Sequence, residues 1–130
     1  MDASELGAVG SFSELAADGL AELAGVMRVD SLPRGHVLIE EGDLPDKFYV
    51  ILDGHVTVHR QGRHLADLGP GDFVGETGVL ALEARNASVI ATTPVRLAVA
   101  MGWEIRGLLD SVAGLRDELE AVAAGRSPAG

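Results

Sequence analysis

The sequence contains no cysteine, and aromatic residues make up only 4% of its 130 residues. Without cysteine the fold can have neither disulfide bonds nor thiolate metal ligands. No apolar run approaches the roughly 20 residues that a membrane-spanning helix needs, and the amino-terminal segment lacks the basic start of a secretion signal. We therefore expect a cytoplasmic protein that has no contact with a membrane.

Basic residues are also scarce, because 10 lysines and arginines face 20 aspartates and glutamates, for a formal net charge of −10. Such a surface repels nucleic acid, whose nonspecific binding depends on basic side chains that neutralise phosphates. Direct nucleic acid binding is therefore not expected, and a small anionic ligand would need a local basic group. The hydrophobic share of 47% suffices for a core, and the length predicts a single domain over 1–130.

The beginning of the chain has a helical pattern. Ser11 and Glu14 have the spacing of a capping box, which marks a helix start. Apolar residues at helical spacing follow at Leu20, Leu23, Ala24 and Met27. The pattern predicts an amino-terminal helical region over 11–28.

The end of the chain is also helical in pattern. Apolar residues alternate in steps of four and three at Leu108, Val112, Leu115, Leu119 and Val122. They predict one or two helices over 102–123, before a flexible tail at 124–130. This apolar seam could pack on its own chain or form a homodimer with a second copy, and the sequence leaves both possibilities open.

Residues 29–101 have the pattern of a β-protein. Short β-rich runs separated by turn residues cover 37–39, 48–52, 55–59, 65–68, 89–92 and 95–99. Asp53-Gly54 lies between two of these runs and predicts a hairpin, and we expect the two runs around Thr93-Pro94 to pair as well. The predicted fold is mainly β: an antiparallel β-roll, or jelly-roll-like barrel, with flanking amino- and carboxy-terminal helices.

The stretch 69–89 carries the chemistry, with glycines at 69, 71, 75 and 78. Residues 77–82 can form one or two helical turns after the glycine turn, which leaves amide N–H groups free to bind an anion. Arg85 follows on a new strand, where its planar guanidinium could hold two phosphate oxygens.

This stretch resembles the phosphate-binding cassette of cyclic nucleotide-binding domains, of the catabolite activator protein and protein kinase A regulatory subunit type. The match runs over 73–87 and consists of Phe73, Val74, Gly75, Glu76, Gly78, Val79, Arg85, Asn86 and Ala87. The segments 35–43, 48–54 and 70–72 also occur in the family's order, so the resemblance covers nearly the whole chain. The segment after Trp103 is too short for the DNA-binding domain of the activator type, so we expect none.

The resemblance implies a role for each matching residue. Arg85 would neutralise the cyclic phosphate, helped by amides near Glu76, Thr77 and Gly78, and Glu76 would accept a hydrogen bond from the ribose 2′-hydroxyl. The implied ligand-binding residues are Gly75, Glu76, Thr77, Gly78, Arg85, Asn86, Ala87, Val58, Leu65, Ala66 and Val89. For Val58, Leu65, Ala66 and Val89, ordinary core packing is the alternative.

Three residues depart from the family pattern. Thr77 replaces a larger apolar residue, Ala84 replaces a proline, and Asn86 stands where serine, threonine or alanine is common. The choice between cAMP and cGMP therefore stays open, with cAMP as the family default and no further cofactor expected.

The resemblance implies a sensor without catalytic residues. Nucleotide binding would shift the carboxy-terminal helix and so regulate an effector protein or an assembly. The alternative is a nucleotide-independent β-roll that serves as an interaction or dimerisation module. A metal-binding cupin enzyme is disfavoured, because His55 and His59 would face outward on a strand whose Val56 and Val58 face the core. The sequence leaves His36 and His64 isolated, and no metal site is expected.

Overall fold

Helices occupy both ends of the chain, and strands occupy the middle. The computed structural model describes residues 1–44, 46–75, 85 and 87–125. Within them the helices are α1 (Ala3–Gly7), α2 (Ala17–Val26), α3 (Gly102–Leu108) and α4 (Leu115–Gly125), with a 3₁₀ turn at Gly10–Phe12. The strands are β1 (Arg28–Leu32), β2 (Val37–Ile39), β3 (Lys47–Asp53), β4 (Val56–Arg60), β5 (Arg63–Leu68), β6 (Phe73–Val74), β7 (Ser88–Ala91) and β8 (Val95–Met101). None of these helices is long and apolar enough to span a membrane.

The strands form two antiparallel sheets. The first has the order β1-β8-β3-β6 and the second the order β2-β7-β4-β5. The prediction of a mainly β-roll with flanking helices is confirmed. The predicted closure into a barrel is wrong, because each sheet is open and has two edge strands.

The two central strands of the first sheet, β3 and β8, are covered on both faces. On β8, Val95, Leu97 and Val99 pack into the core between the two sheets, whereas Ala98 and Ala100 pack into a second core under the helices. Successive side chains of a strand point to opposite faces, so a stretch with a layer on each side is apolar at consecutive positions, as Leu97 to Ala100 are. The second sheet covers one face of the first sheet, and the helices cover the other.

Three phenylalanines join the helical layer to the first sheet. The rings of Phe12 and Phe73 stack with centroids 4.7 Å apart, and Phe48 meets the edge of Phe73 at 5.5 Å. All three side chains are fully buried. Because Phe73 opens the cassette, this cluster fixes where the cassette leaves the sheet.

The apolar seam near the carboxy terminus packs on its own chain. Val112, Leu115 and Leu119 are at most 1% exposed and belong to the core under the helices. The seam is also broken, since Gly114 has φ +86° and separates α3 from α4. These buried side chains do not form the dimer surface that the sequence left open. Helix α4 continues to Gly125, and the rest of the predicted tail lies outside the described residues.

The capping-box prediction is wrong. Helix α2 begins at Ala17, its N-cap is Ala16, and Ser11 lies in the 3₁₀ turn. A further helix, α1, precedes this turn and is capped by Asp2, which accepts a 2.8 Å hydrogen bond from the Ser4 amide. A box motif offers only local hydrogen bonds, whereas the neighbouring Phe12 is fully buried and its ring packs on Phe73.

Both predicted strand pairs are wrong as well, because the connections cross between sheets. Strand β3 belongs to the first sheet and β4 to the second, so Asp53-Gly54 is a crossover rather than a hairpin. Likewise β7 and β8 lie in different sheets. The two crossovers contact each other: the His55 amide donates to Thr93 Oγ1 at 2.9 Å, and the Thr92 amide donates to the His55 carbonyl at 3.0 Å. The hairpin in the second sheet joins β4 to β5 through Gln61 and Gly62, both at positive φ.

The crossover contact predicts a specific role for Gly54. Its φ is +87°, and a β-carbon there would lie 2.3 Å from the Pro94 carbonyl oxygen. Gly62 has φ +77° with open space around it. We expect Gly62→Ala to lower the free energy of unfolding by about 1–2 kcal/mol through backbone strain alone. Gly54→Ala should cost about 1–3 kcal/mol more because of overpacking.

Urea unfolding of the two variants beside the wild type measures this difference. Equal losses of stability would contradict the tight contact between the crossovers.

Candidate functional site

The backbone of Arg85 is bound to the turn between β2 and β3. Its amide donates to the Asp43 carbonyl at 2.7 Å, and its carbonyl accepts from the Gly42 amide at 2.8 Å. These two bonds bring the cassette arginine, which is more than 40 residues away in sequence, to the start of β3. The side chain therefore enters the roll from a fixed point.

The guanidinium of Arg85 is buried, with 3% of the residue exposed. Its Nη1 donates to the Gly75 carbonyl at 3.1 Å, and its Nη2 donates to the Lys47 carbonyl. A buried charged group needs such partners, because losing water without replacement hydrogen bonds is costly. The arginine thus ties the end of β6 to the start of β3.

Gly75 gives this arginine its space. Its φ is +92°, and a β-carbon there would lie 2.8 Å from the Lys47 carbonyl oxygen and 2.9 Å from Arg85 Nη1. Positive φ already favours glycine, and the close approach of the guanidinium adds a second reason. The glycine that the sequence singled out is therefore required both by the backbone and by the arginine.

A small polar cavity of about 110 Å³ opens beside Arg85. Glu40, Asp43, Asp46 and Lys47 are among its lining residues. Ligand pockets for whole small molecules are usually about 300–1,000 Å³, so this cavity fits a single charged group rather than a nucleotide. Because three acidic residues also line it, an anion there depends for its attraction on the two basic residues, Arg85 and Lys47.

Tyr49 closes the inner side of this cavity. Its hydroxyl donates to the Leu38 carbonyl at 3.1 Å. Burial raises the pKa of the phenol, Asp46 raises it further, and the positive charge of Arg85 acts in the opposite direction. Tyr49 is therefore a neutral hydrogen-bond donor that joins β3 to β2.

The remaining predicted site residues fall into three groups. Ala87, Val58 and Val89 are completely buried in the core between the sheets, where Val58 pairs with Val89 and with Ala66. Ala66 is partly buried against this core, whereas Leu65 is 38% exposed at a register shift of β5. A ligand contact for these residues stays a prediction. Glu76, Thr77, Gly78 and Asn86 lie outside the described residues.

Sequence reasoning missed the segment 42–47 as part of the site. Gly42, Asp43 and Lys47 bind Arg85 through backbone groups, and such contacts leave no signature in residue type. The available signal was the family order of 35–43 and 48–54, which flanks this segment on both sides.

Two of the four histidines, His59 and His64, lie close together. Val56 and Val58 are fully buried and His55 is exposed, as the strand alternation predicted, but His59 is partly buried and lies 3.2 Å from the Thr57 hydroxyl. His64, predicted to be isolated, lies beside His59 with ring centroids 5.6 Å apart, and it contacts Asp67 at 3.0 Å. The hydrogen bond from His64 lowers the pKa of Asp67. No group of three or more potential metal ligands occurs in the described part of the chain.

Comparison with known proteins identifies the family. Residues 29–111 match the model of the cyclic nucleotide-binding domain. The chain belongs to the cyclic nucleotide-binding domain family, in which this domain is regulatory.

Two relatives and one solved structure illustrate the similarity. The cGMP-dependent protein kinase egl-4 of Caenorhabditis briggsae is 36% identical over 95 residues, which cover 68% of this chain and 13% of the kinase. The CRP-like cAMP-activated global transcriptional regulator of Mycobacterium tuberculosis is 33% identical over 101 residues, which cover 74% of this chain and 45% of the regulator. The regulatory subunit of a cAMP-independent protein kinase A from Trypanosoma brucei superposes with a TM-score of 0.83 at 28% identity, covering 93% of this chain and 45% of that one. The chain thus spans less than half the length of each.

Two glycines separate backbone strain from displacement of Arg85. Gly71 and Gly75 both have φ +92°, but only a β-carbon at Gly75 would meet other atoms. We expect Gly71→Ala to cost about 1–2 kcal/mol of unfolding free energy. Gly75→Ala should cost about 1–3 kcal/mol more, because the guanidinium or the Lys47 carbonyl must move.

Thermal or urea unfolding of both variants without ligand provides the measurement. If the two variants lost the same stability, the close packing of Arg85 on Gly75 would be refuted.

Proposed function

We propose that this chain is a cyclic nucleotide sensor, with cAMP as the expected ligand and cGMP as the alternative ligand. The observation that carries the proposal is the buried Arg85 guanidinium, held by the carbonyls of Gly75 and Lys47 at the cassette position. A guanidinium offers parallel donors that match two oxygens of a phosphate. In a site shielded from water this attraction is stronger than on the surface.

The names of the relatives support the ligand class without selecting one nucleotide. One is a cGMP-dependent kinase and another is a cAMP-activated regulator. Within the proposal, Glu76 binds the ribose hydroxyl, the amides around Thr77 and Gly78 bind the phosphate, and Asn86 and Ala87 flank the arginine. The proposed role is binding without catalysis.

The proposed output is a shift of the carboxy-terminal helices that regulates an effector protein or an assembly. Lys47, whose carbonyl holds Arg85, pairs with Met101 at the end of β8. The next residue, Gly102, begins α3 and donates its amide to the Asp46 carbonyl at 2.8 Å. The residue that holds the arginine, Lys47, therefore lies directly beside the start of α3. The ligand shifts the helices only to the extent that it binds one arrangement more tightly than the other.

Calorimetric titration with cAMP and cGMP tests the binding step. We expect saturable binding of at least one nucleotide by the wild type. Arg85→Lys keeps the charge but loses the planar fork, and affinity should fall about tenfold or more. Arg85→Ala should lose about 2–5 kcal/mol of binding free energy.

Arg34→Ala is the matched control, because Arg34 is an exposed arginine in the turn between β1 and β2, outside both the cassette and the carboxy-terminal helices. Thermal unfolding without ligand checks that each variant is folded. Wild-type affinity in folded Arg85→Lys would contradict the proposed role of the guanidinium.

The single tryptophan reports on the output step. Trp103 lies in the first turn of α3 and is 65% exposed. If nucleotide shifts α3, the fluorescence of Trp103 should change in intensity or wavelength as the binding sites fill, and the midpoint should equal the calorimetric Kd. Binding heat with unchanged Trp103 emission and quenching would argue against a movement of α3.

The alternative is a nucleotide-independent interaction module. This alternative is supported by the similarity to the Trypanosoma brucei regulatory subunit, whose kinase is described as cAMP-independent. This alternative predicts neither binding heat nor thermal stabilisation by either nucleotide, in contrast to the sensor.

A further inference from the structure

Among the described residues the two sheets have four edge strands, β1, β6, β2 and β5, and these edges are not equivalent. Strand β6 has two residues, β2 has three with a register shift, and the register of β5 shifts opposite Val58 and His59. Strand β1 has five residues in continuous register with β8 from Arg28 to Leu32. A regular edge with unused backbone groups is the kind that accepts another strand.

The outer side of β1 is open. The side chains from Arg28 to Ser31 are exposed, and Val29 is 38% exposed. Within the part of the chain that the structure describes, the β1 backbone has hydrogen-bond partners in β8 alone. In the same residues, neither Arg28 nor Asp30 has a side-chain hydrogen bond or an ion pair. Two opposite charges therefore stand unpaired on an edge that could accept a strand.

The charges on β1 select one partner and one register. Arg28 and Asp30 are two residues apart, so both side chains lie on the same face of the sheet. In an antiparallel pair of two β1 strands centred on Val29, Arg28 lies opposite Asp30 of the second copy, and Asp30 lies opposite its Arg28. The symmetric register centred on Asp30 places two aspartates opposite each other, which is unfavourable. We propose that β1 binds a second copy of this chain by pairing with its β1 in the register centred on Val29.

This pairing joins two first sheets into one continuous sheet of eight strands. The contact is small, because in this register only Arg28, Val29 and Asp30 of each copy lie opposite β1 residues; Ser31 and Leu32 lie opposite Met27 and Val26, at the end of α2. Stable protein interfaces usually bury about 800 Å² per partner, so this dimer is weak and forms at high protein concentration. It uses the β1 edge and not the apolar side chains Leu115 and Leu119 of α4, which are buried within their own chain.

Sedimentation velocity of the full chain from micromolar to millimolar concentration tests the proposal. The wild type should show a reversible shift from monomer to dimer. Arg28→Asp places like charges opposite each other twice, and Asp30→Arg does the same with the opposite sign. The dimer affinity of each variant should be at least about tenfold lower than that of the wild type. The double variant Arg28→Asp with Asp30→Arg restores both opposite-charge pairs and should dimerise like the wild type.

A mixture of the two single variants gives the sharpest result. Two copies of the same single variant place like charges opposite each other. When Arg28→Asp pairs with Asp30→Arg, opposite charges face each other at both 28–30 pairs. We therefore expect heterodimers in the mixture. Arg63→Asp on the β5 edge makes the same charge change elsewhere and should leave dimerisation unchanged, while circular dichroism verifies folding.

Three outcomes overturn the proposal. The first is a wild type that stays monomeric up to millimolar concentration. The second is a dimer that both single variants preserve. The third is a mixture of the single variants with no association beyond that of each variant alone.

Discussion

The buried guanidinium of Arg85 is the constraint on which the site depends. An arginine that is 3% exposed must satisfy its donors inside the protein, and the carbonyls of Gly75 and Lys47 supply acceptors. Its own backbone is bonded to Gly42 and Asp43. One residue therefore holds together the end of β6, the start of β3 and the turn after β2. Any side chain at 75 would compete with the guanidinium for the same space, which explains the glycine there better than turn geometry alone.

The frame that keeps this arginine in place is the first sheet. Strands β3 and β8 are its two central strands, and both of their faces are covered. The acceptor Lys47 therefore lies at the beginning of a strand that can move little, whereas Gly75 follows a strand of only two residues. A ligand that binds Arg85 would therefore mainly affect the hydrogen bond of Arg85 to Gly75, and the bond to Lys47 less. The ring of Phe73, stacked on Phe12, holds β6 itself against the helical layer.

Residue pattern predicted helices on both sides of a β-rich middle and placed Gly75 and Arg85 in one cassette. It failed where the outcome depended on neighbours distant in sequence. The Asp53-Gly54 turn has a hairpin sequence, but Gly54 lies against Pro94, and this contact between two crossovers cannot be inferred from either turn. Strand β1 was missed because its exposed residues show no apolar alternation. The backbone contacts of 42–47 with Arg85 were missed because any residue type can make them.

Strand β8 connects the parts of the molecule that function would need to link. Val99 pairs with Tyr49 of β3 on one side and with Arg28 of β1 on the other. The same strand ends at Met101, opposite Lys47, and leads directly into α3. The arginine site, the start of the carboxy-terminal helices and the open β1 edge are thus attached to one strand. If occupancy of the site changes the position of β8, association at β1 must change nucleotide affinity by the same factor, because coupling between two binding events is reciprocal.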